Sequence, residues 1–160
     1  MIPGMNASSR PPRIDRRKIR VEPVAVDSIV DLRHQVLRQG LPREAALFDG
    51  DNNPSSLHFG AFDGHRLVGC VTLHASRWEE QSAWQLRGMA VAPEYRKAGV
   101  GGALLRVAED HLSTDGKTRM LWCNARVPAA AFYQKFGWQI VSEVFEIPTA
   151  GPHVRMIKHC

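Results

Sequence analysis

The 160-residue sequence predicts one α/β domain of mixed strands and helices, and three observations carry that expectation. Segments of strand type alternate with segments of helical spacing in the order β-α-(α)-β-β-β-α-β-α-β-β. An Asp63-Gly64 pair between two apolar runs marks a tight hairpin, so neighbouring strands are antiparallel before the first long crossover helix. The length suits a single compact body, and no apolar run approaches the ~20 residues needed to cross a bilayer.

Each element has its own signal. Ile19 and Val21 alternate with Arg20 and Glu22 ahead of Pro23, which is an edge-strand pattern. Asp27 is a good N-cap for a helix in which Ile29, Leu32, Val36 and Leu37 share a face, and Gly40 supplies the stop. Residues 41–56 are polar and turn-rich, with a short helix expected around 43–47; connections of that length often serve binding. Residues 57–62 and 67–73 are the hairpin strands, 77–82 a polar connection, and 84–91 another strand, ended by Pro93. A helix opens after Gly99, with Leu104, Val107, Ala108, His111 and Leu112 on one side. A strand over 119–124 follows, then a helix with Pro128 in its first turn and Gly137 at its end. Residues 138–144 and 153–158 are the terminal strands.

The formal charge is +5, and it sits at the N-terminus. Residues 1–20 hold Arg10, Arg13, Arg16, Arg17, Lys18 and Arg20 against Asp15, and the rest of the chain is neutral. Residues 1–17 are polar and hold three prolines, so they are expected to form a flexible basic leader ahead of a domain at 18–160. They lack the apolar core of a signal peptide. Neither nucleic acid nor membrane is therefore expected as the working partner. Cys70, Cys123 and Cys160 are far apart and odd in number, which argues against a disulfide framework and for a cytoplasmic setting. His153, His159 and Cys160 lack zinc-ligand spacing, so no metal site is expected.

Residues 89–105 carry the chemistry. A strand ends, a glycine-containing loop turns, and a helix begins. The first N–H groups of a helix lack intrahelical partners, and the helix dipole favours an anion beside them. Gly99, Gly101 and Gly102 allow close approach to the backbone, and Arg96 and Lys97 add charge. This describes a phosphate or pyrophosphate cradle. It is not the dinucleotide fingerprint, because Leu104 stands where glycine is needed, and the Gly-Lys-Ser/Thr of a P-loop is absent. What remains is Arg96-x-x-Gly99-x-Gly101.

This segment resembles the acetyl-CoA-binding motif of the GNAT superfamily of N-acetyltransferases. Residues 87–96 resemble that family's fourth strand and its splayed end. The run 124–138, with Phe132-Tyr133-Gln134-Lys135-Phe136-Gly137-Trp138, resembles its second motif. The resemblance spans residues 19–160 and implies a mostly antiparallel central sheet, splayed between strands 4 and 5 and flanked by helices. It further implies acetyl-CoA as cosubstrate, held by Met89, Ala90 and Val91 along the pantetheine arm. Arg96, Lys97, Ala98, Gly99, Val100, Gly101 and Gly102 would hold the pyrophosphate, and Asn124 the arm from the fifth strand. Lys97 departs from the family, which often has glycine there.

Tyr133 matches the family's general acid, which protonates the departing thiolate; the reference values of thiol and phenol lie close enough for that transfer. The fourth strand offers Gln85 and Arg87 where a carboxylate base is common, so His153 and His58 are the base candidates, with His74 behind them. The closing segment 145–156 resembles that of a small bacterial branch of undefined substrate. Arg33, on the apolar stripe of the first helix, and Arg87 are the candidates for contact with the acceptor. The expected reaction is direct transfer of an acetyl group to a primary amine of a small molecule. A protein lysine or N-terminus as acceptor, and a CoA-binding sensor without turnover, are the alternatives. The family's habit of dimerising makes a homodimer an open expectation.

Overall fold

The computed structural model describes residues 14–115 and 118–160. In chain order its elements are β1 (Ile19–Pro23), α1 (Val30–Leu37), β2 (Leu57–Asp63), β3 (Arg66–Trp78), β4 (Gln81–Val91) and α2 (Val100–Asp115). β5 (Met120–Arg126), α3 (Ala130–Lys135), β6 (Gln139–Ile140), β7 (Phe145–Ile147) and β8 (Gly151–His159) complete the body. They form one sheet in the order β1-β2-β3-β4-β5-β8-β6, with β7 also on β8. Pairing is antiparallel throughout except between β4 and β5, which run parallel. The mixed α/β class and the mostly antiparallel sheet agree with the sequence reading.

Period-two alternation on β2 and β3 separates the two faces of the sheet. Phe59, Ala61, Val71 and Leu73 are buried in the core with the Leu104, Leu105, Ala108 and Leu112 stripe of α2. Gly69 lets α2 approach, since a Cβ there would stand 2.7 Å from Val100 Cγ1 and 3.0 Å from Leu104 Cδ1. The intervening His58, Thr72 and His74 point to the opposite face, toward α1 and the 41–56 loop.

Four local expectations change. The polar connection at 77–82 is a two-residue hairpin: Trp78 pairs with Gln81, and Glu79 and Glu80 turn at φ +46° and +70°. Both central residues are left-handed, as the twist of a tight hairpin requires, but the Asn-Gly chemistry that signals it is missing. Asp27 lies in a 3-10 turn, Val26–Ser28, and α1 starts at Val30 without a side-chain cap. The expected strand 138–144 is two residues long, and a separate short strand forms at Phe145–Ile147. Residues 14–17, expected in the leader, also make contacts with the body. Ile14 packs against the core, and Asp15 caps the 3-10 turn Arg16–Lys18 by accepting from Arg17 N–H at 3.0 Å. The remainder of the expected leader, residues 1–13, lies outside the described residues.

The sheet opens in its middle. Cys70 pairs with Ala90 and Thr72 with Arg87, so Val71 faces both Gly88 and Met89, a bulge in β4. Gly88 takes φ +64° there. β4 pairs with β5 only at Trp84–Leu121 and Gln85–Trp122, upstream of the bulge; beyond it the two strands diverge.

Candidate active site

The divergence leaves a cavity of about 310 Å3. Its walls are the bulged end of β4 (Gln85 to Met89), the C-terminal half of β5 (Cys123 to Arg126) and the face of α3 carrying Phe132 and Tyr133. Leu37, Arg38 and Phe48 close it from the α1 side, and Ile147 and His153 from the β7–β8 side. Of the residues singled out by sequence, the structure brings Tyr133, His153, Asn124, Met89 and Arg87 to this one cavity.

Tyr133 is 6% exposed and belongs to an aromatic cluster, with ring centroids 5.2 Å from Phe132 and 5.4 Å from Trp138. Burial pushes its phenol far above the ordinary tyrosine range, so it keeps its proton at any physiological pH. The same burial holds the thiol of Cys123, another residue lining the cavity, up to about 12.

His153 is 5% exposed, and its Nδ1 lies 2.7 Å from Gly151 O. A carbonyl can only accept, so Nδ1 carries the proton and Nε2 is the ring's basic nitrogen. Asn124 lines the cavity and accepts from Arg155 Nε at 3.4 Å. Arg87 donates to Asp49 O and stands 3.5 Å from an Asp51 oxygen.

His58 and Arg33 are placed elsewhere, which corrects their expected roles. Both are buried on the α1 face of the sheet, outside the cavity walls. His58 Nε2–H donates to Asp51 O at 3.0 Å, and its Nδ1 accepts from Thr72 Oγ1 at 2.7 Å. Both ring nitrogens are committed, so His58 cannot serve as a base for substrate. Arg33 is 0% exposed and pairs with Asp51 at 2.6 Å. It also donates to Ala46 O at 3.0 Å and Thr72 Oγ1 at 2.6 Å. Its guanidinium lies under β4 where Gly88 lacks a side chain; a Cβ there would meet Arg33 Nε at 2.7 Å. What Arg33 does is fasten the 41–56 loop to the sheet, which carries Phe48 and Asp49 to the rim of the cavity. His74 is also tied into this loop, 3.1 Å from Ser56 Oγ, and burial lowers its pKa.

The glycine loop follows the C-terminal end of β4, past the bulge. Lys97 takes φ +62° and Gly99 φ +84°, which explains why glycine suits position 97. The ladder of α2 begins with Ala103 N–H donating to Gly99 O at 3.0 Å, so amides ahead of it have no helical acceptor. Arg96 and Lys97 are exposed there. Gly101 and Gly102 have a further use that the sequence did not disclose. A Cβ at 101 would stand 2.9 Å from Phe132 Cζ, and one at 102 would stand 2.7 Å from Phe136 Cζ. The glycine face of α2 thus seats the two rings that flank Tyr133 on α3.

Sequence reasoning missed Arg126, Arg38, Phe48 and Arg16. Arg126 was the accessible one, since period two places it on the same face of β5 as Asn124. Arg16 reaches the glycine loop from before β1 and donates to Lys97 O at 3.2 Å.

The sequence profile of the Acetyltransferase (GNAT) family matches residues 25–138. The chain is 32% identical over 143 residues to the uncharacterized N-acetyltransferase YitI of Bacillus subtilis, covering 88% of this chain and 95% of that one. Among solved structures, Escherichia coli ElaA superposes with a TM-score of 0.74 at 20% identity, over 88% of this chain and 99% of that one. An aminoglycoside 6'-N-acetyltransferase complexed with coenzyme A superposes with a TM-score of 0.70 at 17% identity, over 87% and 96%. At those identities the structural matches speak for the fold alone. The profile match and the YitI identity along most of both chains, together with the split between β4 and β5, place the enzyme: the chain belongs to the GNAT family of acetyltransferases.

Proposed function

We propose that this enzyme transfers the acetyl group of acetyl-CoA directly to a primary amine of a small molecule, within the cavity between β4 and β5. The observation that carries this reading is that Tyr133 and the basic Nε2 of His153 are borne on walls of one cavity at the split. Bound acetyl-CoA would supply the activated acetyl thioester. A coenzyme-A-bound structure among the fold neighbours supports that choice of donor.

The residues present fit such a group. The bulged edge of β4 at Met89, Ala90 and Val91 can pair with an extended pantetheine arm as an added strand would. The amides from Lys97 to Gly102, with Arg96 and Lys97 beside them, suit a pyrophosphate. Asn124 offers a polar contact from β5. His153 Nε2 takes the proton of the attacking amine, and Gly151 O orients the ring for it. Tyr133 delivers its proton to the sulfur, and its buried ring excludes water from that step. A protein acceptor would call for a shallow acidic groove, whereas the cavity walls include Arg38, Arg87 and Arg126 and, among the described residues, no carboxylate. That favours the small-molecule reading.

The test is thiol release from acetyl-CoA with a panel of amines, amino acids, polyamines, aminoglycosides and peptides. Tyr133→Phe is expected to lower turnover by roughly 10–1000-fold with little change in acetyl-CoA affinity. Unchanged turnover removes Tyr133 from the mechanism, and no acceptor-dependent release at all favours a non-catalytic CoA-binding module.

A further inference from the structure

We infer that the acceptor amine carries an anionic group, a carboxylate or phosphate, and that Arg38 and Arg126, with Arg87 beside them, form the subsite that holds it. The inference rests on the acetyl-transfer reading above and names its substrate class.

Arg38 and Arg126 carry uncancelled charge. Arg38 follows α1 and Arg126 ends β5, 88 positions apart in sequence, yet both guanidiniums end on the same oxygen. Arg38 Nη1 donates to Leu37 O at 3.0 Å, and Arg126 Nη2 donates to it at 2.7 Å. Neither has an ion-pair partner among the described residues. Both are half-buried, and both line the cavity. Arg38 feels the cost: burial lowers its pKa, and the charges of Arg126 and Arg33 lower it further.

The remaining contacts position these cations without neutralising them. The Phe48 ring lies 4.2 Å from the Arg33 guanidinium, 5.2 Å from that of Arg38 and 5.8 Å from that of Arg87. A ring face and a backbone carbonyl hold a guanidinium in place but leave its charge intact. The carboxylates nearby are insufficient. Asp51 is buried and spends its shorter contact, 2.6 Å, on Arg33, leaving 3.5 Å to Arg87. Asp49 is exposed on the loop and acts on Arg87. Among the described residues, two acids thus answer four guanidiniums.

Half-buried like charges held together by neutral contacts are costly unless an anion joins them. The planar forks of two arginines suit a carboxylate or phosphate, bidentate and charge-assisted. The same cavity presents Tyr133 and His153, so a molecule with an anionic end and an amine end can reach both sets of groups.

The test uses the full-length enzyme and four acceptors with one carbon skeleton: an ω-amino acid, its phosphonate, its primary amide and the corresponding diamine. The anionic members are expected to exceed the amide and diamine in kcat/KM by tenfold or more, chiefly through KM. The carboxylate and phosphonate arms identify which anion fits. Arg126→Gln and Arg38→Gln are each expected to pull the acid-to-amide ratio toward one, and Arg126→Lys to restore part of it. Thermal stabilisation of wild-type enzyme by the amino acid without acetyl-CoA gives a readout independent of turnover and of variant folding. Turnover of the amide or diamine equal to that of the acids overturns this inference while sparing acetyl transfer. Absence of thiol release with every amine overturns the acetyl-transfer reading itself.

Discussion

Replacing Asp51 with asparagine should remove a large share of this protein's stability. The Asp51 side chain is 2% exposed and the Arg33 side chain 0%. The carboxylate accepts from Arg33 Nη1 at 2.6 Å, Arg33 Nη2 at 3.3 Å and Phe48 N–H at 2.8 Å. Asparagine keeps the shape and one acceptor but leaves the Arg33 charge sealed in the protein with no counter-charge in contact. Breaking a buried pair from one side costs about 3–5 kcal/mol, against a total stability of about 5–15 kcal/mol for a native domain. At about 2–4 °C per kcal/mol for a chain of this size, the melting temperature falls by roughly 10 °C. Urea unfolding followed by circular dichroism measures the loss, with the midpoint moving and the slope unchanged. Arg33→Met combined with Asp51→Asn should cost less than the two single losses together, because the stranded charge is then gone.

The pH response follows from the same pair. Burial raises the Asp51 pKa, but the Arg33 hydrogen bond, the Phe48 amide and the charges of Arg33 and Arg87 outweigh it, and the net shift is downward. Asp51 therefore stabilises the fold above the ordinary aspartate pKa of about 3.9, and that contribution is lost as pH falls through the lower folded value. The asparagine variant should lack this part of the acid-side slope. A loss below about 1 kcal/mol, or a wild-type acid profile in the variant, would refute the reasoning.

Three further outcomes are expected. Lys97→Gly relieves a left-handed conformation that costs a non-glycine residue about 1–2 kcal/mol; after the entropy of an added glycine, a melting scan should show stability unchanged or raised by up to about 1 kcal/mol. A clear destabilisation would mean that the Lys97 side chain holds the loop. Gly102→Ala drives a methyl against Phe136, 2.7 Å from its Cζ, so it should both destabilise the fold and lower kcat through the displaced Tyr133, whereas Gly40→Ala, with open space around it, should leave kcat alone. Arg16→Ala removes a cation from beside Gly99 and should weaken acetyl-CoA binding several-fold in low salt and less in high salt, as read by titration calorimetry. A salt-independent effect would instead assign Arg16 to loop structure.

The sequence by itself determined most of the strand and helix order, the family and the glycine-bearing loop between β4 and α2. These are local matters: period-two and period-3.6 patterns, turn residues, and a glycine-bearing loop whose backbone donors need no particular side chains. It also put Tyr133 on a helix, because the pattern around Pro128 and Gly137 is local. The hairpin at Glu79-Glu80 escaped, since its turn is set by the pairing of two long strands and not by residues that favour it. The roles of Arg33 and His58 escaped because burial and pairing are long-range. Asp51 lies 18 positions beyond Arg33 and Thr72 another 21, and only the folded loop brings them together. The same holds for Arg38 and Arg126, which share Leu37 O although they stand 88 positions apart. Tertiary structure decided which arginine is locked inside the protein and which stand in the cavity, because charge is satisfied or left over in space and not along the chain.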